Sequence, residues 1–273
     1  MMKQLLPLVA ALVLTSPSYA KDLETETSVK AESLPKYFTG YDGAFVFVDL
    51  ESGRTIRYNK KRCAEQISPC STFKIFNSLA GLDSGVLTGA DHKMKWDGKR
   101  RPMDNWNKDQ TLQSAVTDSV VWYFQNVARD VGMPRMQKYI DDVDYGNRDL
   151  SGGLTTFWLD SSLKISADEQ VEFLKKLYFD KLPFSTSSQD TVKTLIKLKE
   201  TPDTVFAGKT GTDAKDGKRV LGWFVGYVVH DGHPYVFATN IKSKDNAWGR
   251  RARDITERIL VDAQLLEPTP PAK

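Results

Sequence analysis

Ser71 and Lys74 stand three residues apart in the run Pro69-Cys70-Ser71-Thr72-Phe73-Lys74. On a helix that spacing puts both on one face, where the amine, or a base made from it, can take the hydroxyl proton and leave a nucleophile. A place in the first turn after Pro69 leaves the Ser71 backbone N–H without an intrahelical acceptor, a donor suited to a developing oxyanion. A second cluster, Lys209-Thr210-Gly211-Thr212, falls in a strand-like run late in the chain. There a cation and a hydroxyl can hold a substrate carboxylate, Gly211 leaves room for a ligand, and the Thr212 N–H can complete an oxyanion hole. The chain has 3 histidines and 2 cysteines. Their positions lack the paired spacing of a zinc site, so no metal is expected.

Residues so far apart in sequence need a scaffold that brings them together. Residues 44–48 and 55–58 are apolar strand-like runs flanking the turn Glu51-Ser52-Gly53 and predict a β-hairpin. Residues 220–229 and 235–241 predict two late strands around the turn at 230–234, and residues 206–212 a third. Between these regions the periodicity is helical. Phe73, Phe76, Leu79, Ala80 and Leu82 suit one helix, and residues 168–179, opened by Ser166 as N-cap, suit another. A last amphipathic helix over about residues 251–265 carries Ile255, Ile259, Leu260 and Ala263 on one face before Pro268 and Pro270. The pattern predicts an α/β fold of the α+β type: an antiparallel five-stranded sheet flanked by terminal helices, with an inserted all-helical lobe. The sheet lobe takes about residues 40–62 and 200–265 and the helical lobe about 71–195, within one catalytic unit spanning 21–273.

The first twenty residues read as an address. Lys3, the apolar stretch 5–14 and Ser18-Tyr19-Ala20 form a signal peptide with cleavage expected after Ala20, which predicts export to the periplasm. An apolar run of about ten residues is too short to cross a bilayer as a helix, so no membrane association is expected once the leader is gone. The 38 basic and 35 acidic residues give a net charge of +3, too weak a field to predict a nucleic-acid partner. A small-molecule substrate is expected instead. After export, Cys63 and Cys70 either bridge as a disulfide or remain two free thiols.

Five motifs in order then carry a resemblance. Ser71 to Lys74 is S-x-x-K, Ser119-Val120-Val121 is S-x-V, Tyr145-Gly146-Asn147 is Y-G-N, Trp158 to Ser166 is W-x-x-x-x-L-x-I-S, and Lys209-Thr210-Gly211 is K-T-G. The set is similar to that of the class D, or oxacillinase-type, serine β-lactamases among the penicillin-recognising serine enzymes. It extends over roughly residues 40 to 262. The resemblance implies hydrolysis of a β-lactam ring through an acyl-enzyme on Ser71, and with it antibiotic resistance. It also implies that Lys74 becomes N6-carboxylysine by taking up carbon dioxide from bicarbonate, the carbamate serving as base for acylation and for activating water. No other cofactor is implied. Ser119 would pass a proton to the lactam nitrogen, Val121 would pack over the lysine, and the Trp158 indole would hydrogen-bond the carbamate. Lys209, Thr210, Gly211 and Thr212 would line the substrate site.

An arginine near the start of the last helix often joins the carboxylate site in this family, but Arg250, Arg251 and Arg253 offer no register that selects one. The cysteine pair resembles a bridge of some relatives. Family members occur as a monomer or homodimer, and substrate range stays open. Three rivals compete: a non-hydrolysing β-lactam sensor, a penicillin-binding transpeptidase and a catalytically decayed binder of peptidoglycan fragments.

Overall fold

The computed structural model describes residues 29–268. The expected leader at 1–20, with its cleavage point, lies outside them. A 3-10 helix, Ala31–Phe38, leads into β1 (Asp42–Asp49), β2 (Thr55–Tyr58) and the short α1 (Lys60–Cys63). A 3-10 turn, Cys70–Phe73, runs directly into α2 (Lys74–Asp83). The helical lobe continues through a two-stranded ladder, β3 (Lys93–Met94) and β4 (Gln110–Thr111), then α3 (Leu112–Thr117), α4 (Val121–Val131) and α5 (Met133–Val143). It closes with α6 (Ala167–Tyr178) and α7 (Thr186–Leu195). The chain returns to the sheet as β5 (Lys197–Glu200), β6 (Thr204–Lys215), β7 (Lys218–His230) and β8 (His233–Lys242), and ends on α8 (Gly249–Asp262).

The main sheet has the order β2-β1-β8-β7-β6-β5, every pairing antiparallel. It has six strands, one more than the five expected. The addition, β5, reads Lys-Leu-Lys-Glu and is largely exposed, so no apolar alternation announces it. Lysines on an outer strand also discourage pairing with another chain. The small β3–β4 ladder was likewise unexpected, being too short to show a period. The other strands, the helix capped by Ser166 and the helical insertion stand where the sequence places them, although α8 begins and ends two to three residues earlier than predicted.

Apolar side chains cover both faces of the sheet. Val46, Val48, Trp223, Val225, Val236 and Ala238 belong to one buried cluster with the helical lobe. Phe45, Phe47, Phe224 and Phe237 belong to another with Ile255, Ile259 and Leu260 of α8. A strand buried on both faces reads as a continuous apolar run, which is why β1 is buried from Gly43 to Asp49. Ser166 accepts from the Glu169 N–H while Glu169 accepts from the Ser166 N–H, a capping box that fixes the start of α6. Among the described residues, no helix is long and apolar enough to cross a membrane.

Candidate active site

The turn that carries Ser71, the candidate nucleophile, is built from local constraints. Cys70 has φ +50°, a left-handed conformation uncommon outside glycine. Around it the Thr72 hydroxyl donates to the Pro69 carbonyl at 2.7 Å, and the Gln170 amide of α6 donates to that hydroxyl at 3.0 Å. Gln170 also reaches the Tyr145 hydroxyl at 3.4 Å. All three side chains are buried, so the network is dry and fixes the turn against α6. The turn then feeds α2, whose first residue is Lys74.

Here the Lys74 amine lies 2.6 Å from the Ser71 hydroxyl. Lys74 is completely buried, with its nitrogen 5.7 Å from the centre of the Phe124 ring. Burial, and after it the neighbouring Lys209 cation, hold its pKa well below the usual lysine range. An amine that spends time neutral can act as a base or take up carbon dioxide. Val121, expected over the lysine, is half-buried at the first position of α4. The ring beside the amine is that of Phe124, three residues further along the same helix face.

Ser119 occupies the bend between α3 and α4, again left-handed at φ +57°. The Trp106 indole donates to the carbonyl of the preceding Asp118 at 2.9 Å and so braces this bend. From the sheet, the Lys209 ammonium donates to the Ser119 hydroxyl at 3.1 Å and to the Thr210 carbonyl at 3.1 Å. Burial lowers the Lys209 pKa to about 8. Two serine–lysine pairs thus come from three separate elements, Ser71–Lys74 on α2 and its turn, and Ser119–Lys209 between the helical lobe and β6.

Strand β6 supplies the opposite wall. Its pairing with β5 stops at Ala207, so from Lys209 to Asp213 it has a strand partner on one side, β7. Gly211 lies against the nucleophile's turn: a Cβ there would meet the Pro69 carbonyl oxygen at 3.0 Å and the Cys70 Cβ at 3.3 Å. Thr212 is exposed, and its hydroxyl accepts from the Gly249 N–H at 2.9 Å, tying β6 to the start of α8. The three arginines of α8 now separate. Arg250 lies over Trp248, Arg251 sits 3.6 Å from Asp254, and Arg253 lines a cavity of about 320 Å³ with Lys209, Thr210 and Phe224. The Arg253 guanidinium also donates to Glu257 at 2.7 Å.

Trp158 is fully buried, stacked on Phe73 at 5.7 Å, and its indole N–H has no acceptor among the described residues. Its loop is held from the far end by Asn147, which accepts from the Lys164 N–H at 2.9 Å and donates to the Ser162 carbonyl at 2.9 Å. Gly146, at φ +56°, packs where any side chain would strike the Lys164 carbonyl. The Y-G-N motif therefore braces the loop that carries Trp158.

The disulfide is absent: Cys63 and Cys70 are free, buried thiols. Cys63 donates to the carbonyls of Phe45 and Tyr58 at 3.5 and 3.1 Å, whereas Cys70 turns towards the Ser68 carbonyl and hydroxyl. Each sulfur has its own polar environment, and desolvation pushes the thiols up to about 11 and about 12. The sequence reading also missed Ser68 and Gln170, which touch the site through long-range contacts that no local pattern reports.

Comparison with known proteins follows the same lines. The family profile of the penicillin binding protein transpeptidase domain matches residues 20–261. The chain is 39% identical to "Probable beta-lactamase YbxI" of Bacillus subtilis over 87% of this chain and 86% of that protein. It is 38% identical to "Regulatory protein BlaR1" of Bacillus licheniformis over 86% of this chain but 39% of that longer protein. Among solved structures, that of BPu1 β-lactamase superposes with a TM-score of 0.82 at 42% identity, covering 87% of this chain and 98% of the other.

Proposed function

Because the chain belongs to the penicillin-binding-protein transpeptidase family and, within it, to the class D β-lactamases, we propose that it hydrolyses the β-lactam ring of penicillins and related antibiotics through an acyl-enzyme on Ser71. The observation that carries this reading is the 2.6 Å approach of the buried Lys74 amine to the Ser71 hydroxyl. Ser71 Oγ attacks the lactam carbonyl carbon as its proton passes to the base at Lys74. The carbon–nitrogen bond of the ring then breaks, and Ser119, polarised by Lys209, delivers a proton to the departing nitrogen. Lys209, Thr210 and Arg253 are suited to the substrate carboxylate.

Water must finally cleave the ester and restore Ser71. A carbamate on Lys74 supplies the base for both half-reactions in this reading, and the unpaired, buried indole N–H of Trp158 is chemically suited to hold it. The leader at residues 1–20 supports export to the periplasm with cleavage after Ala20. Monomer and homodimer are both compatible with the proposal.

A second reading, a sensor that stays acylated, is favoured by the similarity to BlaR1. Turnover separates the two. Sustained hydrolysis of a chromogenic cephalosporin, many moles per mole of protein and abolished in Ser71→Ala, supports the hydrolase. A single stoichiometric acylation, followed by mass spectrometry, would replace it with the sensor or transpeptidase reading.

A further inference from the structure

Ser68 has no part in the chemistry outlined above, yet its hydroxyl joins the two segments on which that chemistry depends. The oxygen accepts from the backbone N–H of Cys70 at 3.4 Å and from that of Asp160 at 3.0 Å, and the hydroxyl donates to the Trp158 carbonyl at 3.1 Å. Its own carbonyl accepts from the Trp223 indole at 2.9 Å. Ser68 and Trp223 are 3% and 0% exposed, so water does not compete for these bonds.

Both residues whose N–H groups Ser68 receives are left-handed: Cys70 has φ +50° and Asp160 has φ +46°. Such conformations cost energy outside glycine and persist where the surroundings over-determine them. One hydroxyl therefore secures the bend immediately before Ser71 and the bend two residues after Trp158. Other supports reach the Trp158 loop without touching the nucleophile's turn. Asp160 pairs with Lys215 on the β6–β7 hairpin at 3.1 Å through exposed side chains, and Asn147 holds residues 162–164.

We propose that Ser68 is a positioning residue that keeps the Trp158 indole N–H in register with Ser71 and Lys74. The kinetic consequence rests on the carbamate reading given above. With the clamp removed, the peptide of Trp158 is left with the bond from the Leu159 N–H to the Thr156 carbonyl at 2.8 Å, and the indole, still packed on Phe73 and Phe157, is held less firmly in its direction. The carbamate then loses a donor and carbon dioxide leaves more readily.

The test compares Ser68→Ala with Ser68→Thr, which keeps the hydroxyl, in the whole protein. In the alanine variant the bicarbonate concentration for half-maximal turnover should rise roughly five- to tenfold, about the equivalent of one hydrogen bond. Saturating bicarbonate should restore the rate, KM for penicillin should stay within about twofold, and Ser68→Thr should behave as the parent. An independent readout is the Trp158 indole resonance in a nitrogen-15 spectrum, assigned with Trp158→Phe. It should move or broaden in Ser68→Ala and return in Ser68→Thr. An unmoved resonance overturns the proposal, as does a loss of rate that bicarbonate does not relieve and threonine does not rescue. If the parent shows no bicarbonate response, the carbamate reading fails and the indole resonance alone decides the role of Ser68. Should the alanine variant fail to fold, Ser68→Cys, which preserves volume but weakens every bond of the clamp, takes its place.

Discussion

Lys209 reaches across from the sheet to place its ammonium 3.1 Å from the Ser119 hydroxyl in the helical lobe, while the same cation helps to depress the pKa of Lys74. In the proposed mechanism the contact joins substrate binding to proton delivery. It also means that one cation influences both serines, since Lys74 lies against Ser71.

The alkaline limb of activity should report Lys209. Burial brings its pKa down to about 8, so the ammonium proposed to hold a substrate carboxylate is present below that pH and is lost as pH rises through it. KM for penicillin should therefore climb above about pH 8 by up to tenfold per unit. Lys209→Arg, whose cation does not titrate in this range, should flatten the climb even at a reduced rate. A KM that stays level from about pH 7 to about pH 10 in the parent would show that the charge of Lys209 does not bind substrate.

Lys74 should give the opposite, acidic limb. Its pKa is held well below the usual lysine range, so under the carbamate proposal acidification protonates the amine and drives carbon dioxide off. Turnover should rise with bicarbonate, fall reversibly in acid, and be accompanied by a carbamate signal from carbon-13-labelled bicarbonate. Lys74→Ala should acylate slowly and then accumulate as a trapped ester. Equal rates in degassed buffer with and without bicarbonate, together with an unmodified lysine, would leave a plain amine as the base.

Gly211→Ala probes how closely β6 approaches the nucleophile. The added methyl meets the Pro69 oxygen at 3.0 Å, the Thr72 methyl at 3.2 Å and the Cys70 Cβ at 3.3 Å, so the Ser71 turn has to yield by a few tenths of an ångström. Misplacement on the scale of an ångström costs about a hundredfold, so a fall in kcat/KM of roughly ten- to a hundredfold is expected, with a small change in Tm. Kinetics within a factor of two of the parent would mean that the turn tolerates displacement.

The two thiols should be independent of redox conditions. Alkylation of unreduced protein after denaturation should label both Cys63 and Cys70, native protein should react slowly because both are buried and weakly acidic, and reductant should leave Tm unchanged. Finding no reactive thiol in denatured, unreduced protein would restore the bridge.

The legibility of this fold followed the range of the interactions. Ser71 and Lys74 are neighbours on one helical stretch, and the β1–β2 hairpin is a local pairing, so both were readable directly. Trp158 entered through family resemblance; taken by itself it is another large core residue. Ser68 could not be read because its partners Trp158, Asp160 and Trp223 are distant in sequence and a lone serine before Pro69 has no periodic context. Edge strand β5 escaped for a different reason: its side chains face water, so burial writes no pattern into them. The thiols show the reverse error, since proximity in sequence suggested a bond that their directions in space do not make.

Strand β1 pairs along its length with β8, Asp42 opposite Lys242, and the whole helical lobe is threaded between them. The middle of the sheet consequently cannot close until the ribosome has released nearly the entire chain. Local helices are free to form early, whereas a ladder between such distant strands must first overcome a large loop-closure entropy, the circumstance that makes folding slow. Ser71 and Lys74 are synthesised long before Lys209, so the catalytic cleft is assembled at the end of folding. A nascent chain halted before β8 would contain its nucleophile but no scaffold on which to use it.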